Sequence, residues 1–106
     1  MDPLRGPDVA TRLIRALHAS AAASGTPFEV IETVSRPWAS ATFSGEQHRL
    51  VILADPIPGF RSWLPALPDA ELPLRGHILA DLAIDAVEQV GLRLRVTIAA
   101  LTLIDA

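Results

Sequence analysis

The sequence predicts an α+β fold in which an N-terminal helix packs on a curved antiparallel sheet of about five strands. Two observations predict this class. Apolar residues recur at helical spacing near the N-terminus, and most later segments alternate with the two-residue period of strands between turns that contain glycine or proline. The chain has 106 residues, which favours a single domain, 1-106, that can bury a core without a disulfide or a metal ion.

The first predicted element is a helix over about residues 9-24. Asp8 is a good N-cap, because its carboxylate can accept hydrogen bonds from the free amides of the first turn. Gly25 follows the last periodic residue and marks the end of the helix. Arg12 and Arg15 lie off the apolar face; they could hold an anionic partner, but a solvated helix face is the simpler interpretation. The apolar stripe consists of Val9, Leu13, Ala16, Leu17 and Ala21.

Three strands are predicted next, over about residues 28-35, 38-44 and 47-54. A break at Arg36-Pro37 separates the first two, because proline cannot donate a hydrogen bond to a sheet ladder. Gly45-Glu46 is predicted to form a type II′ turn between the other two, since this turn favours glycine at its first position. That register places Phe43 opposite His48.

Residues 55-73 contain five prolines and form a predicted Pro-rich crossing that leads to the last two strands. Pro65 limits any helix in this segment to about a turn or two on either side. Flexible linkers are poor in large apolar residues, so Phe60, Trp63 and Leu67 are expected to pin the crossing to the domain.

The last two strands are predicted over about residues 74-88 and 92-105, joined by the three-residue loop Gln89-Val90-Gly91 with Gly91 in the left-handed conformation. This register places Asp85 opposite Arg95 and Arg75 opposite Asp105. It also keeps the apolar residues of both strands on one face, so charge pairing and burial favour the same alignment.

One face of the final strand changes character along its length. Arg93 and Arg95 near the turn are followed on the same face by Leu101 and Leu103. An exposed apolar surface of this kind usually marks an interface. We expect a homodimer that buries the leucine-bearing face, although residues 55-73 could cover the same leucines within one chain. The predicted interface residues are Trp38, Leu79, Leu101 and Leu103.

Composition excludes several functional classes. The chain has no cysteine, all nine basic residues are arginine, and the formal net charge is −3. This balance argues against binding to nucleic acid, and no apolar run reaches the ~20 residues that a membrane-spanning helix needs. The absence of lysine beside abundant alanine is typical of a GC-rich bacterium. Arg15 and His18 interrupt the apolar N-terminal stretch, so a signal peptide is not predicted and a cytoplasmic location is expected.

No spacing of residues indicates a catalytic centre. His77 and Asp81 would lie about 13 Å apart on a strand, too far to share a metal ion. His48 is predicted to be a partly buried structural residue. We therefore predict no catalytic, cofactor-binding or metal-binding residues and favour a small binding or assembly module over an enzyme. The alternative is a small-molecule or catalytic site between the helix and the concave sheet, which a cavity lined by His48 and a tryptophan would favour.

Overall fold

The computed structural model describes residues 8–105 and has an α+β architecture with one antiparallel sheet. The sheet has four strands in the order β1-β2-β4-β3, so the prediction of about five strands is wrong. The elements in chain order are α1 (Val9–Ala23), β1 (Glu29–Ala39), β2 (Ser44–Ala54), α2 (Pro58–Ala66), a 3₁₀ turn (Leu67–Asp69), β3 (His77–Val90) and β4 (Arg93–Ile104).

Helix α1 begins and ends where its capping residues predict. The Asp8 carboxylate accepts a hydrogen bond of 2.9 Å from the amide of Thr11, which satisfies one of the free donors of the first turn. Gly25 has φ +66°, and the amide of Thr26 returns to the carbonyl of Ala21 at 3.0 Å. Glycine adopts this left-handed conformation without a steric penalty, so the chain can reverse here.

The strand predicted over residues 38-44 does not form, whereas the strand predicted over residues 47-54 lies within β2. Strand β1 runs unbroken through Pro37, because β1 is an edge strand and its outer side needs no amide donors. The chain turns at Ser40–Phe43, where the amide of Ser40 donates to the carbonyl of Phe43 at 2.8 Å. Gly45 therefore lies within β2, and His48 pairs with Ser35 rather than with Phe43.

The Pro-rich crossing forms a short helix and packs on the same side of the sheet as α1. Pro58 lies in the first turn of α2, where its missing amide costs no hydrogen bond. The Trp63 indole donates to the Ser20 hydroxyl at 2.9 Å, which ties α2 to α1. Phe60, Trp63 and Leu67 are buried in the core, so this segment does not cover Leu101 and Leu103 on the opposite face.

The final hairpin differs from its predicted register. Its loop has two residues, Gly91 and Leu92, between the paired Val90 and Arg93. Gly91 has φ +61°, as a two-residue turn of type II′ requires at its first position. Arg95 lies opposite Glu88 rather than Asp85. The predicted pairing of Arg75 with Asp105 is also wrong, because β3 begins only at His77.

Two β-bulges in β3 explain why the last two strands do not pair in the predicted register. The register shifts once between Leu79 and Asp81 and again between Ile84 and Ala86. Each shift places an extra residue in β3, and a bulge of this kind increases the local twist of the strand pair. The bulges keep Leu82 and Ile84 on the helix side, although the turn is shorter than predicted.

The two faces of the sheet have different surroundings. Side chains from α1, α2 and the segment that follows α2 form one buried cluster with the even-numbered residues of β4. Val51 points to the opposite face and is fully buried, yet it lies outside this cluster. The helices therefore cover one face of the sheet only.

We expect Gly45→Ala to lower the free energy of unfolding by about 3 kcal/mol, because the added Cβ would overlap the backbone carbonyl of Thr102 in the neighbouring strand. Gly91→Ala is the matched control. No atom lies within 4 Å of a Cβ at Gly91, so only its positive φ is penalised, by about 1 kcal/mol. Urea unfolding of both variants measures the difference, and equal losses would contradict the close approach at Gly45.

Candidate functional site

The helix-free face is the surface of the sheet that faces away from α1 and α2. Residues directly opposite each other in an antiparallel pair project to the same side of the sheet, so the register defines three adjoining rows of this face. The rows are Trp38–Gly45–Leu103–Ile78, Arg36–Gln47–Leu101–Asp81 and Val34–Arg49–Ala99–Ala83.

Apolar residues concentrate at one end of the helix-free face. Leu101 and Leu103 are half-buried, Ile78 is 47% exposed, and Val34 is 38% exposed. Trp38 belongs to the outermost row by its pairing with Gly45. Single exposed apolar residues are common on proteins, but a contiguous group of them usually marks a contact surface.

Opposite charges flank these apolar residues. Arg36 and Arg49 lie on the β1–β2 side, whereas Asp81 and Asp85 lie on β3. These four charged residues line a groove of about 500 Å³ whose lining also includes Leu101. Arg49 forms an ion pair with Glu32, in which Nη1 and Oε1 lie 3.0 Å apart. Arg36 and Asp81 have no ion-pair partner among residues 8–105, and three strand spacings, about 14 Å, separate their strands.

The structure brings three of the four predicted interface residues to one face. Trp38, Leu101 and Leu103 lie in adjoining rows. Leu79 lies opposite Thr102 and packs against the core on the helix side, because the two bulges in β3 change which of its residues face the helices. Leu79 is therefore excluded from the candidate interface.

A buried polar cluster lies on the helix side, centred on His48. Its ring is held at both nitrogens, with the Ser35 hydroxyl 2.8 Å from Nδ1 and the Thr102 hydroxyl 2.8 Å from Nε2. The Thr102 hydroxyl donates to the Glu46 carbonyl at 3.5 Å. In this arrangement Nε2–H donates to Thr102, and Nδ1 accepts from Ser35.

The environment of His48 disfavours the imidazolium form. His48 is only 3% exposed, and this burial lowers the pKa of its ring. The Glu46 carboxylate, 4.0 Å from Nε2, raises the pKa but does not offset the loss of hydration. His48 is therefore neutral near pH 7 and joins β1, β2 and β4 through its two hydrogen bonds.

A cavity of about 430 Å³ lies at the end of the sheet where α1 begins. Its lining includes Val9 of the helix together with Trp38, Glu46, His77 and Thr102. His48 does not line this cavity, although it bonds to Thr102. A site between the helix and the sheet is predicted to be lined by His48 and a tryptophan. This cavity is lined by Trp38 but not by His48.

The remaining observations concern metals, membranes and relatives. Among residues 8–105, no three acidic or histidine side chains lie close enough to share a metal ion. The helices in this range are too short or too polar to cross a membrane. Comparison of the chain with protein-family models and with curated proteins finds no match.

The charged residues of the helix-free face are the ones that sequence reasoning missed. The sequence pattern assigns Arg36 to a break between strands and treats Asp81 only as a residue too far from His77 to share a metal ion. Their opposition across the sheet depends on the strand order β1-β2-β4-β3, which neither local sequence contains. The hydroxyl partners of His48 were missed for the same reason, since Thr102 is distant in sequence.

We expect acid to destabilise the protein through His48. Its pKa in the folded state lies below its ordinary value of 6.5, so the unfolded chain binds more protons as the pH falls. The contribution of neutral His48 to the free energy of unfolding is therefore fully present above pH 6.5. It is lost as the pH falls from 6.5 toward the lowered pKa of the folded state. Urea unfolding between pH 8 and pH 5 measures this loss, and His48→Gln should reduce it. Equal slopes for wild type and His48→Gln would contradict this assignment.

Proposed function

We propose that the protein is a non-enzymatic assembly module that forms a homodimer through its helix-free faces. One observation carries the proposal: this face presents an apolar end between oppositely charged sides, and neither helix covers it. Two-fold symmetric dimers are the commonest assemblies of small proteins, and they require a surface that is complementary to itself.

The charges favour one orientation of the two copies. With a two-fold axis parallel to the strands, β1 of one sheet lies over β3 of the other at the same row. Arg36 of each copy then meets Asp81 of the other. An axis perpendicular to the strands would instead place β1 over β1, so that Arg36 would face Arg36. Like charges in contact are unfavourable, so the first orientation is preferred.

The same orientation also suits the apolar row. Trp38 of one copy lies over Ile78 of the other, and Leu103 lies over Gly45. Gly45 carries no side chain that could meet the opposing leucine. Two sheets that pack face to face need this alternation of large and small residues to fill the space between them.

The size of the face is sufficient for a dimer of moderate affinity. Four strands about 4.8 Å apart and about nine residues per strand give a surface of about 19 Å by 30 Å, so two faces bury about 1,100 Å². Stable interfaces begin near this area. A location in the cytoplasm and an origin in a GC-rich bacterium complete the proposal.

A small-molecule site remains the alternative function. The cavity of about 430 Å³ beside the start of α1 supports it, because Val9 and Ile104 supply apolar groups there and Glu46 and His77 supply polar groups. Such sites combine an apolar lining with a few polar groups. A monomeric wild-type protein would favour this alternative over assembly.

We expect the wild-type protein to sediment as a dimer at micromolar concentration and Leu101→Glu to sediment as a monomer, because the variant places a charge in the apolar centre of the contact. Analytical ultracentrifugation measures both, with circular dichroism to verify folding. Leu92→Glu is the control, since Leu92 is 87% exposed in the hairpin turn and should stay dimeric. If Leu101→Glu unfolds, Ile78→Glu tests the same contact at an exposed position. A wild-type monomer would refute the dimer.

We expect Arg36→Asp and Asp81→Arg each to weaken the dimer by about tenfold or more, because each creates two contacts between like charges. Mixing the two variants should restore association. In the mixed dimer, each contact between position 36 of one copy and position 81 of the other again joins opposite charges. Sedimentation of the separate and mixed samples distinguishes the two orientations. Undiminished dimerisation of the separate variants would support the perpendicular axis, because each substitution would then only exchange one pair of like charges for another.

A further inference from the structure

A second groove lies on the helix side of the molecule, away from the helix-free face. Its volume is about 710 Å³, and it separates α1 from the extended segment that precedes β3. Three arginines line it, two from the helix and Arg75 from the segment, while Ala16, Ala19 and Leu72 form an apolar lining between them. The groove therefore combines several positive charges with an apolar floor.

The arginines of this groove are held close together. Arg12 and Arg15 are three residues apart on α1, which places their Cβ atoms about 5–6 Å apart on one helix face. The Arg12 guanidinium donates to the carbonyl of Arg75 at 2.5 Å. That carbonyl belongs to the turn that Leu74 and His77 close with a hydrogen bond of 3.1 Å, so Arg12 fixes the third arginine beside the helix.

Acidic residues do not neutralise this cluster. Within residues 8–105, no carboxylate lies within 4.0 Å of the guanidinium groups of Arg12, Arg15 or Arg75, even though the chain has a net charge of −3. Glu71 lines the groove without pairing with any of them. A third of the nine arginines thus converge on one groove with most of their N–H donors available.

We propose that this groove binds a small organic phosphate monoester. Guanidinium groups form charge-assisted hydrogen bonds with phosphate oxygens, and a dianion matches several arginines better than a carboxylate does. The apolar lining between α1 and Leu72 accommodates a small apolar body attached to the phosphate. This site is on the opposite side of the sheet from the proposed dimer contact and is independent of it.

Phenyl phosphate tests the proposal, with inorganic phosphate, benzoate and benzyl alcohol as comparisons. At low ionic strength, titration followed by ¹H–¹⁵N NMR should shift the amides of Ala16, Ala19 and Ser20. Phenyl phosphate should bind most tightly, because it alone supplies both the dianion and the apolar body. Equal affinity for inorganic phosphate would show that the apolar lining contributes nothing and would overturn the assignment of a monoester.

Two substitutions should change the affinity in opposite directions. Arg15→Gln should weaken phenyl phosphate binding by about twofold to fivefold, as expected for one exposed charged contact. Glu71→Gln should strengthen it by about threefold, since it removes the only negative charge known to line the groove. Arg61→Gln is the matched control, because Arg61 lies on α2 and donates to Pro56 outside the groove. Absence of shifts at these amides, or equal affinity of Arg15→Gln and Arg61→Gln, would refute the site.

Discussion

The packing of α1 and α2 against a single face of the sheet is the interaction on which the rest of the structure depends. The apolar stripe of α1, led by Leu13 and Leu17, meets Phe60 of α2 over the β-sheet. Burial of this apolar surface is the main favourable contribution to folding. Since the two helices cover one face only, the other face is left to its own side chains.

Polar residues in the buried layer limit how the strands can align. His48 bonds to Ser35 on β1 and to Thr102 on β4, so it joins the three strands at one level of the sheet. A shift of either strand by one residue would leave a buried imidazole nitrogen without a partner, which costs about 1–3 kcal/mol. The cluster thus contributes to the choice of register, in addition to the apolar residues further along the same strands.

The sequence predicted local features of the fold better than those that depend on distant neighbours. The capping residues of α1 and the alternation of β4 are properties of short segments, and both agree with the structure. The hairpin registers failed because Gly45 resembles a turn residue, whereas the structure requires glycine there for the close approach of β4. The predicted pairing of Asp85 with Arg95 is wrong because it assumed a strand pair without bulges. A short stretch of sequence carries no clear signal of a bulge. The opposition of Arg36 and Asp81 depends on strand order, which no local pattern reveals.

Both edges of the sheet are poorly suited to adding another strand. Pro37 removes an amide donor from β1, and the two bulges in β3 interrupt the regular spacing of its free backbone groups. Exposed regular edges are the usual route by which sheet proteins join into fibrils, and proline and bulges are common protections against it. Growth of the sheet from copy to copy is therefore disfavoured at either side. The proposed dimer instead uses a face that closes on itself, which gives particles of fixed size rather than open-ended polymers.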